Sequence, residues 1–361
     1  MKQLRTIQAL RAIAALAVMF AHLYGIEVRQ SGGDAIMSPN WITGISGVDL
    51  FFVISGFVMV WVAGDSQPSL SNSGGFLFAR ALRIYPLWWL FAGAMTAYLF
   101  VSYGTPWDAE RLSRLGVGGV EHLWKSFLLI PHDAFPILTL GWTLMHEIYF
   151  YIVFALILLL PKAWRIPALV IWALIILASV SASMTEHFAD SLITLALFPM
   201  TLVFLMGAAA AYLIKGGHLI WRWPALITGL AILIWSCLEV DFLGNTPDLA
   251  TARTFSYGIA FALIVYGLVA LEQATRWGDR IPDFLIHLGD WSYSLYLCHI
   301  LVISAVGRLF FPVFGQPGSI DNLAFLAIGI VLPIVVSGLV YTCFERPILS
   351  YTRQKRKAWF S

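Results

Sequence analysis

Four polar clusters interrupt long apolar runs in this chain, and their residue types are those of acid–base and anion-binding chemistry. The first is Arg11 and His22, the two ends of "RAIAALAVMFAH". Eleven helical steps turn about 1100°, about 20° beyond three full circles, and rise about 16 Å. The two side chains therefore share one face of a helix. Ionisable residues inside a membrane segment are costly and face a cavity or a partner. The plainer alternative is that Arg11 snorkels to the near surface and His22 sits at the far one. The second cluster is Asp49 in "GVDLFFVISGF" (47–57), where Gly47 and Gly56 permit close helix approach. An interfacial carboxylate is the alternative there. The third is Glu147 in "GWTLMHEIYFY" (141–151). It is expected about nine residues, or about 14 Å, inside its span, a depth that favours a functional or partner-bound role over a structural polar contact. His146 points about 100° away from it and is the weaker candidate. The fourth is Arg80 and Arg83 in "FARALRIYPLWW", three apart and so on one face. Singly they read as positive charge at the cytoplasmic start of a span. As a pair they read as an anion clamp, because arginine grips phosphate through two N–H groups. Pro86 follows, where it could kink the helix.

Taken as a set, the clusters divide by depth. His22, Asp49 and Glu147 are expected in the outer half of the membrane, and Arg80, Arg83 and Arg11 in the inner half. A histidine with carboxylates nearby is a general-base arrangement, in which the carboxylate orients the imidazole and stabilises its charged form. A basic patch open to the cytoplasm suits a phosphorylated donor. The pattern reads as a through-membrane enzyme, with a donor entering from inside and an acceptor from outside. A transporter or flippase of a glycan or lipid-linked intermediate is the alternative class, since buried charge also suits transport. No duplicated halves are visible to favour it. A scaffold or sensor would not need His22. The "GDS" at 64–66 has the look of an esterase nucleophile block but lies in a short connection without a strand pattern. His299 in "SYSLYLCHI" is either a satisfied core histidine or a cavity-lining one.

The elements that must hold these residues follow from composition. Of 361 residues, 60% are hydrophobic and only 12% charged, against about a quarter charged in ordinary soluble proteins. This is the composition of an all-α integral membrane protein. Ten runs are long enough to span, at about 20 residues each: roughly 4–25, 44–64, 80–103, 138–160, 166–184, 191–214, 223–239, 254–271, 292–311 and 322–345. The stretch 118–131 is too short and polar, and reads as interfacial or re-entrant. With the N-terminus in the cytoplasm, sixteen of the 22 Lys and Arg fall on the inner side. The expected topology is N-in and C-in, with 65–79 and 272–291 as inner connections, 104–137 as the longest outer one, and no soluble domain. Residues 1–361 read as a single membrane domain, ending in a basic tail at about 346–361 whose "RQKRK" suits anionic lipid rather than nucleic acid. A net charge of +2 gives no reason to expect nucleic acid as a partner. The fifteen Trp and thirteen Tyr fit interfacial belts. Cys237, Cys298 and Cys343 lie in apolar runs, with neither a disulfide framework nor metal-ligand spacing. The N-terminus mimics a signal peptide, but Arg11 interrupts its apolar stretch, so it reads as an uncleaved first span.

These pieces, in this order, resemble the acyltransferase-3 family of integral membrane proteins. The matching residues are Arg11-x10-His22, "GVDLFFVISGF", Arg80-x-x-Arg83, "GWTLMHEIYFY", "WSYSLYLCH" at 291–299 and "FERP" at 344–347. Members O-acylate cell-surface and exported glycans in bacteria and have eukaryotic relatives. The resemblance implies ten spans in the bacterial cytoplasmic (inner) membrane, an acyl-CoA donor and a glycan acceptor. It implies catalysis by His22, a part in activity and donor binding for Arg11, Arg80 and Arg83, and a role for Glu147. Asp49 or Glu147 would orient the ring. Some members carry an added esterase-like domain; this chain is similar to the compact, exopolysaccharide-modifying form. Acetyl is the default acyl group because it is the commonest in the family. Direct transfer, an acyl-histidine intermediate, the acceptor sugar and homo-oligomerisation all stay open.

Overall fold

The computed structural model describes residues 4–182, 191–242, 248–315 and 320–359, and no strand occurs among them. The order is α1 (Arg5–Gln30), a 3₁₀ segment (Pro39–Ser46), α2 (Gly47–Ala63), α3 (Leu70–Tyr103), α4 (Ala109–Leu115), α5 (Gly119–Leu128), α6 (Gly141–Leu158) and α7 (Lys162–Ser181). It continues with α8 (Leu192–Ala196), α9 (Thr201–Lys215), α10 (Arg222–Glu239), α11 (Leu249–Arg253), a π turn, α12 (Ile259–Ala274), α13 (Asp283–Phe314), α14 (Ile320–Val340), a second π turn and α15 (Arg346–Trp359). Among the described residues, nine helical segments are long and apolar enough to cross a membrane. The chain is an all-α, multi-pass membrane protein. α10 coincides with the expected span at 223–239 but is not one of the nine, because Arg222 and Glu239 at its ends dilute its hydropathy. Whole helix faces are apolar and exposed, as with Val170, Ile171, Leu174 and Ile175 on α7 and Ile227, Ile234 and Leu238 on α10. Such a surface would drive association in water; here it is the lipid face.

Several boundaries differ from those read in the sequence. α3 starts at Leu70, ten residues before the expected span, so most of 65–79 is helix rather than connection. Ser69 caps it by accepting from the Asn72 N–H, and Ser73 is spent inward on the Ala155 carbonyl. Arg80 and Arg83 therefore lie in the third and fourth turns of α3 rather than at its start, and the helix runs on through Pro86. α1 continues to Gln30, which leaves His22 two turns inside its end. α6 starts at Gly141, so Glu147 is its seventh residue, about 9 Å from that end rather than about 14 Å. The basic tail is helical: α15 follows α14 across the π turn.

The chain packs as two units, Met1–Phe57 with Met206–Phe344, and Val58–Leu205 with Glu345–Ser361. In the first, Ala15, Met19, Leu23 and Ile26 of α1 pack with Leu295 and Ile303 of α13 and Phe325 of α14. Small residues allow the helices to close on one another. A Cβ at Gly47 would meet the Ala14 carbonyl of α1, and one at Gly289 would meet the Gln8 carbonyl. In the second unit, Tyr85, Trp88 and Trp89 of α3 donate to the carbonyls of Leu128, Ser126 and Phe127, at the C-terminal end of α5. Phe150 of α6 stacks on Phe204 and Trp172.

Arg165 anchors that second unit. Its guanidinium is buried and donates to three carbonyls at helix ends: Gly64 at 2.8 Å, Leu158 at 2.7 Å and Leu160 at 3.2 Å. Cations are favoured where helices end and carbonyls go unbonded. Replacing it by methionine leaves those oxygens unanswered, each at a cost of about 1–3 kcal/mol. Arg165→Met is expected to lower the thermal midpoint in detergent by an amount equivalent to about 3 kcal/mol, and Arg165→Lys to restore only part of the loss. An unchanged midpoint would remove the anchor role.

Candidate active site

α1 carries Arg11 and His22 on one continuous helix, as their spacing predicts. Arg11 is half-buried, with Nη1 3.5 Å from the Gln8 side-chain oxygen. His22 is half-buried. Its Nδ1 lies 2.9 Å from the carbonyl of Val18, one turn below, and 3.2 Å from Nε2 of His299 on α13. The rings are 5.0 Å apart between centroids and inclined by 60°. His299 is fully buried, with Nδ1 3.0 Å from the Leu295 carbonyl. Tyr296 packs 6.1 Å from His299 and meets Phe51 edge-on. The side-chain partner of His22 is thus a second imidazole.

The carboxylate expected beside His22 is engaged elsewhere. Oδ2 of Asp49, in the first turn of α2, accepts from Nη2 and Nε of Arg253 at 2.8 and 3.1 Å. Asp49 is 0% exposed and Arg253 6%, and the guanidinium also covers the Phe242 ring at 5.2 Å. Arg253 reads in the sequence as one more outer cation, because a partner 204 residues away leaves no local signal.

In the other unit, Glu147 and Arg80 come together through a residue that the sequence did not single out. Tyr151, one turn after Glu147, donates its hydroxyl to the Glu147 carboxylate. The Arg80 guanidinium lies over the rings of Tyr151, at 5.8 Å, and Phe76, at 5.6 Å. Its Nε is buried with no hydrogen-bond partner among the described residues. Arg83 is half-buried on the same helix. His146 is buried against Phe198, with ring centroids 4.7 Å apart.

A second histidine pair lies outside the long helices. His122 of α5 and His132 are both buried, with Nδ1 of His122 3.0 Å from Nε2 of His132. Nδ1 of His132 is 3.0 Å from the Ile130 carbonyl. Burial pushes the His122 ring down to about 4, helped by His132 and Arg111 and opposed by Asp108. Burial also lowers His132, helped by Lys125 and opposed by the Ile130 carbonyl, Asp133 and Glu121.

Residues 4–342 match a family described as an acyltransferase domain. The chain is 31% identical over 329 residues to the exopolysaccharide production protein ExoZ of Rhizobium meliloti (strain 1021), covering 88% of this chain and 93% of that protein. It is 28% identical over 382 residues to the acyltransferase MdmB of Streptomyces mycarofaciens, covering 98% and 94%. It is 25% identical over 321 residues to nodulation protein 10 of Rhizobium leguminosarum bv. viciae, covering 81% of each. No solved structure matches it.

Two expectations follow from the geometry. Breaking a buried ion pair from one side leaves a bare buried charge, at about 3–5 kcal/mol. Asp49→Leu and Arg253→Met should each destabilise the protein by that order in thermal unfolding, while Asp49→Leu/Arg253→Met should lose clearly less than the two added. Strict additivity would refute the coupling. The second concerns pH. His122 and His132 are neutral when folded and take up protons on unfolding below their ordinary value of 6.5. Their contribution is complete above about pH 6.5 and is lost as pH falls towards 4. The thermal midpoint should drop across that window, and less so in His122→Gln/His132→Gln. An identical profile in the double variant would assign the drop to other groups.

Proposed function

This chain belongs to the acyltransferase-3 family and is a membrane-bound O-acyltransferase; from that premise we propose that it moves an acyl group, acetyl in the first instance, from cytoplasmic acyl-CoA to a hydroxyl of an extracytoplasmic or exported glycan. The observation that carries this reading is the imidazole of His22. It is held on the α1 backbone and turned to a polar partner, inside a chain whose family match runs through both His22 and the arginine pair. The name of the 31% identical relative, an exopolysaccharide production protein, supports a polysaccharide acceptor.

In the proposed reaction His22 takes the proton of a sugar hydroxyl as its oxygen attacks the thioester carbonyl. The carbon–sulfur bond then breaks, and the leaving thiolate recovers the proton. Arg80 and Arg83 bind the phosphates of coenzyme A, and Arg11 is assigned to donor binding as well. The buried, unpartnered Nε of Arg80 supports an anionic ligand there. Glu147 holds Tyr151 under the Arg80 guanidinium, so it acts on the donor side. Asp49 with Arg253 fixes the start of α2. A single membrane domain in the bacterial inner membrane, ten spans with both termini inside, and lipid around the whole belong to the same proposal. The direction of two helices supports the span count. Gln8 meets Gly289 and His22 meets His299, so α1 and α13 ascend together. Two parallel spans need an odd number of crossings between them. Seven lie between α1 and α13 when α10 is one of them.

Purified protein supplied with acetyl-CoA and polysaccharide extracted from a deletion strain should release free thiol and give O-acetylated sugar by mass spectrometry. His22→Ala should abolish both while folding normally. Arg80→Ala and Arg83→Ala should raise the KM for acetyl-CoA at least tenfold. Full activity of His22→Ala would overturn the base assignment. Movement of glycan without thiol release would favour a carrier.

A further inference from the structure

The protons of the two rings on α1 and α13 can be assigned from their neighbours. A backbone carbonyl only accepts, so His299 Nδ1, 3.0 Å from the Leu295 oxygen, carries a hydrogen. The same holds for His22 Nδ1, 2.9 Å from the Val18 oxygen. His299 Nε2 lies 3.2 Å from that same His22 Nδ1. A hydrogen on His299 Nε2 would point at the one on His22, so His299 Nε2 holds a lone pair and accepts. The His22 N–H is then shared between the Val18 carbonyl and His299. By elimination, His22 Nε2 has the lone pair, and it is the nitrogen free to take a proton.

We propose that His299 is the positioning residue for acyl transfer, fixing His22 in the Nδ1–H tautomer and accepting from the imidazolium that forms during the reaction. This rests on the reading of His22 as the base. The sugar proton goes to His22 Nε2 as the oxygen–carbon bond forms. It leaves again for the coenzyme A sulfur as the carbon–sulfur bond breaks. Through both steps His22 Nδ1 keeps its hydrogen and His299 stays neutral. In serine hydrolases this orienting part falls to a carboxylate; here Asp49, the carboxylate expected to orient the ring, is bonded through Oδ2 to Arg253. A neutral acceptor suits the site, because in the resting state a carboxylate beside uncharged His22 would be a buried unpaired charge, far more costly than an imidazole.

The test uses the full-length protein in nanodiscs with acetyl-CoA and deletion-strain polysaccharide. His299→Leu removes the acceptor and keeps the volume apolar. His299→Gln puts a side-chain oxygen about where Nε2 was. The leucine variant should lose about 10²-fold in kcat with KM for acetyl-CoA unchanged, and the glutamine variant should stay within tenfold of wild type. Independently of activity, nitrogen chemical shifts of ¹⁵N-histidine protein should give the Nδ1–H tautomer for His22 in the wild type and a tautomer mixture in His299→Leu. The wild-type spectrum and the glutamine variant keep the test open if the leucine variant does not accumulate. Wild-type kcat in folded His299→Leu, equal loss in folded Leu and Gln variants, or an Nε2–H tautomer for His22 in the wild type would each overturn the proposal. An active His22→Ala would instead strike the base reading and leave the ring pairing measurable.

Discussion

Inside a bundle of apolar helices there is no water to answer a polar group, so the answer must come from the protein itself or from a ligand. That constraint organises both units. Asp49 is met by Arg253, and His22 by His299. Glu147 is met by Tyr151, and Arg165 by three carbonyls at helix ends. Two of these contacts join residues more than 200 positions apart. Apolar packing can tolerate a slipped helix, because one leucine replaces another at modest cost. A buried ion pair cannot, since slippage leaves bare charge. The polar contacts therefore fix the register that the apolar surfaces leave loose.

The buried pairs of the first unit differ in what they can do chemically. Asp49 with Arg253 is charge against charge. It is neutral as a whole, and a proton added to the carboxylate would strand the guanidinium. Such a pair holds position. His22 with His299 is an uncharged pair with one lone pair left over, and it can gain a single proton and give it back. Holding and proton exchange thus fall to different residues. The sequence, which puts Asp49 and His22 in neighbouring spans, invites merging them into one unit.

Much of the fold is legible in the sequence because hydrophobic length is a one-dimensional property. The apolar runs, the stretch at 118–131 too short and polar to span, and the shared face of Arg11 and His22 all follow from composition and period. Boundaries are less legible where the polar residues of a helix are satisfied tertiarily. "SLSNSGG" before α3 reads as a connection, yet Ser69 caps it and Ser73 finds the Ala155 carbonyl. The candidate site offers its residues to a reading of the sequence but not its pairings. His22, Asp49, Glu147 and Arg80 stand out because polar side chains are rare in such runs. Their partners stand out less: Arg253 looks like a cation at a span end, Tyr151 like an aromatic in a belt, and His299 reads equally as core or cavity-lining. No period or spacing links position 22 to position 299.

What the sequence does encode locally is a bias in the state of each ring. Both histidines sit in continuous helix, four residues after a residue whose carbonyl can accept from Nδ1, at Val18 and at Leu295. That oxygen has a second lone pair beyond its helix hydrogen bond, so the helix favours the Nδ1–H form of each ring, and for His22 the lone pair on His299 Nε2 completes the choice. Bringing the rings to 3.2 Å is then a matter of backbone approach. It is served by the small residues of α1: Ala9, Ala12, Ala14, Ala15 and Ala21 are all buried. The alanine-rich run that looks made for lipid is mostly turned away from it. It is thin so that other helices can come close, and the histidine at its end depends on that closeness for its partner.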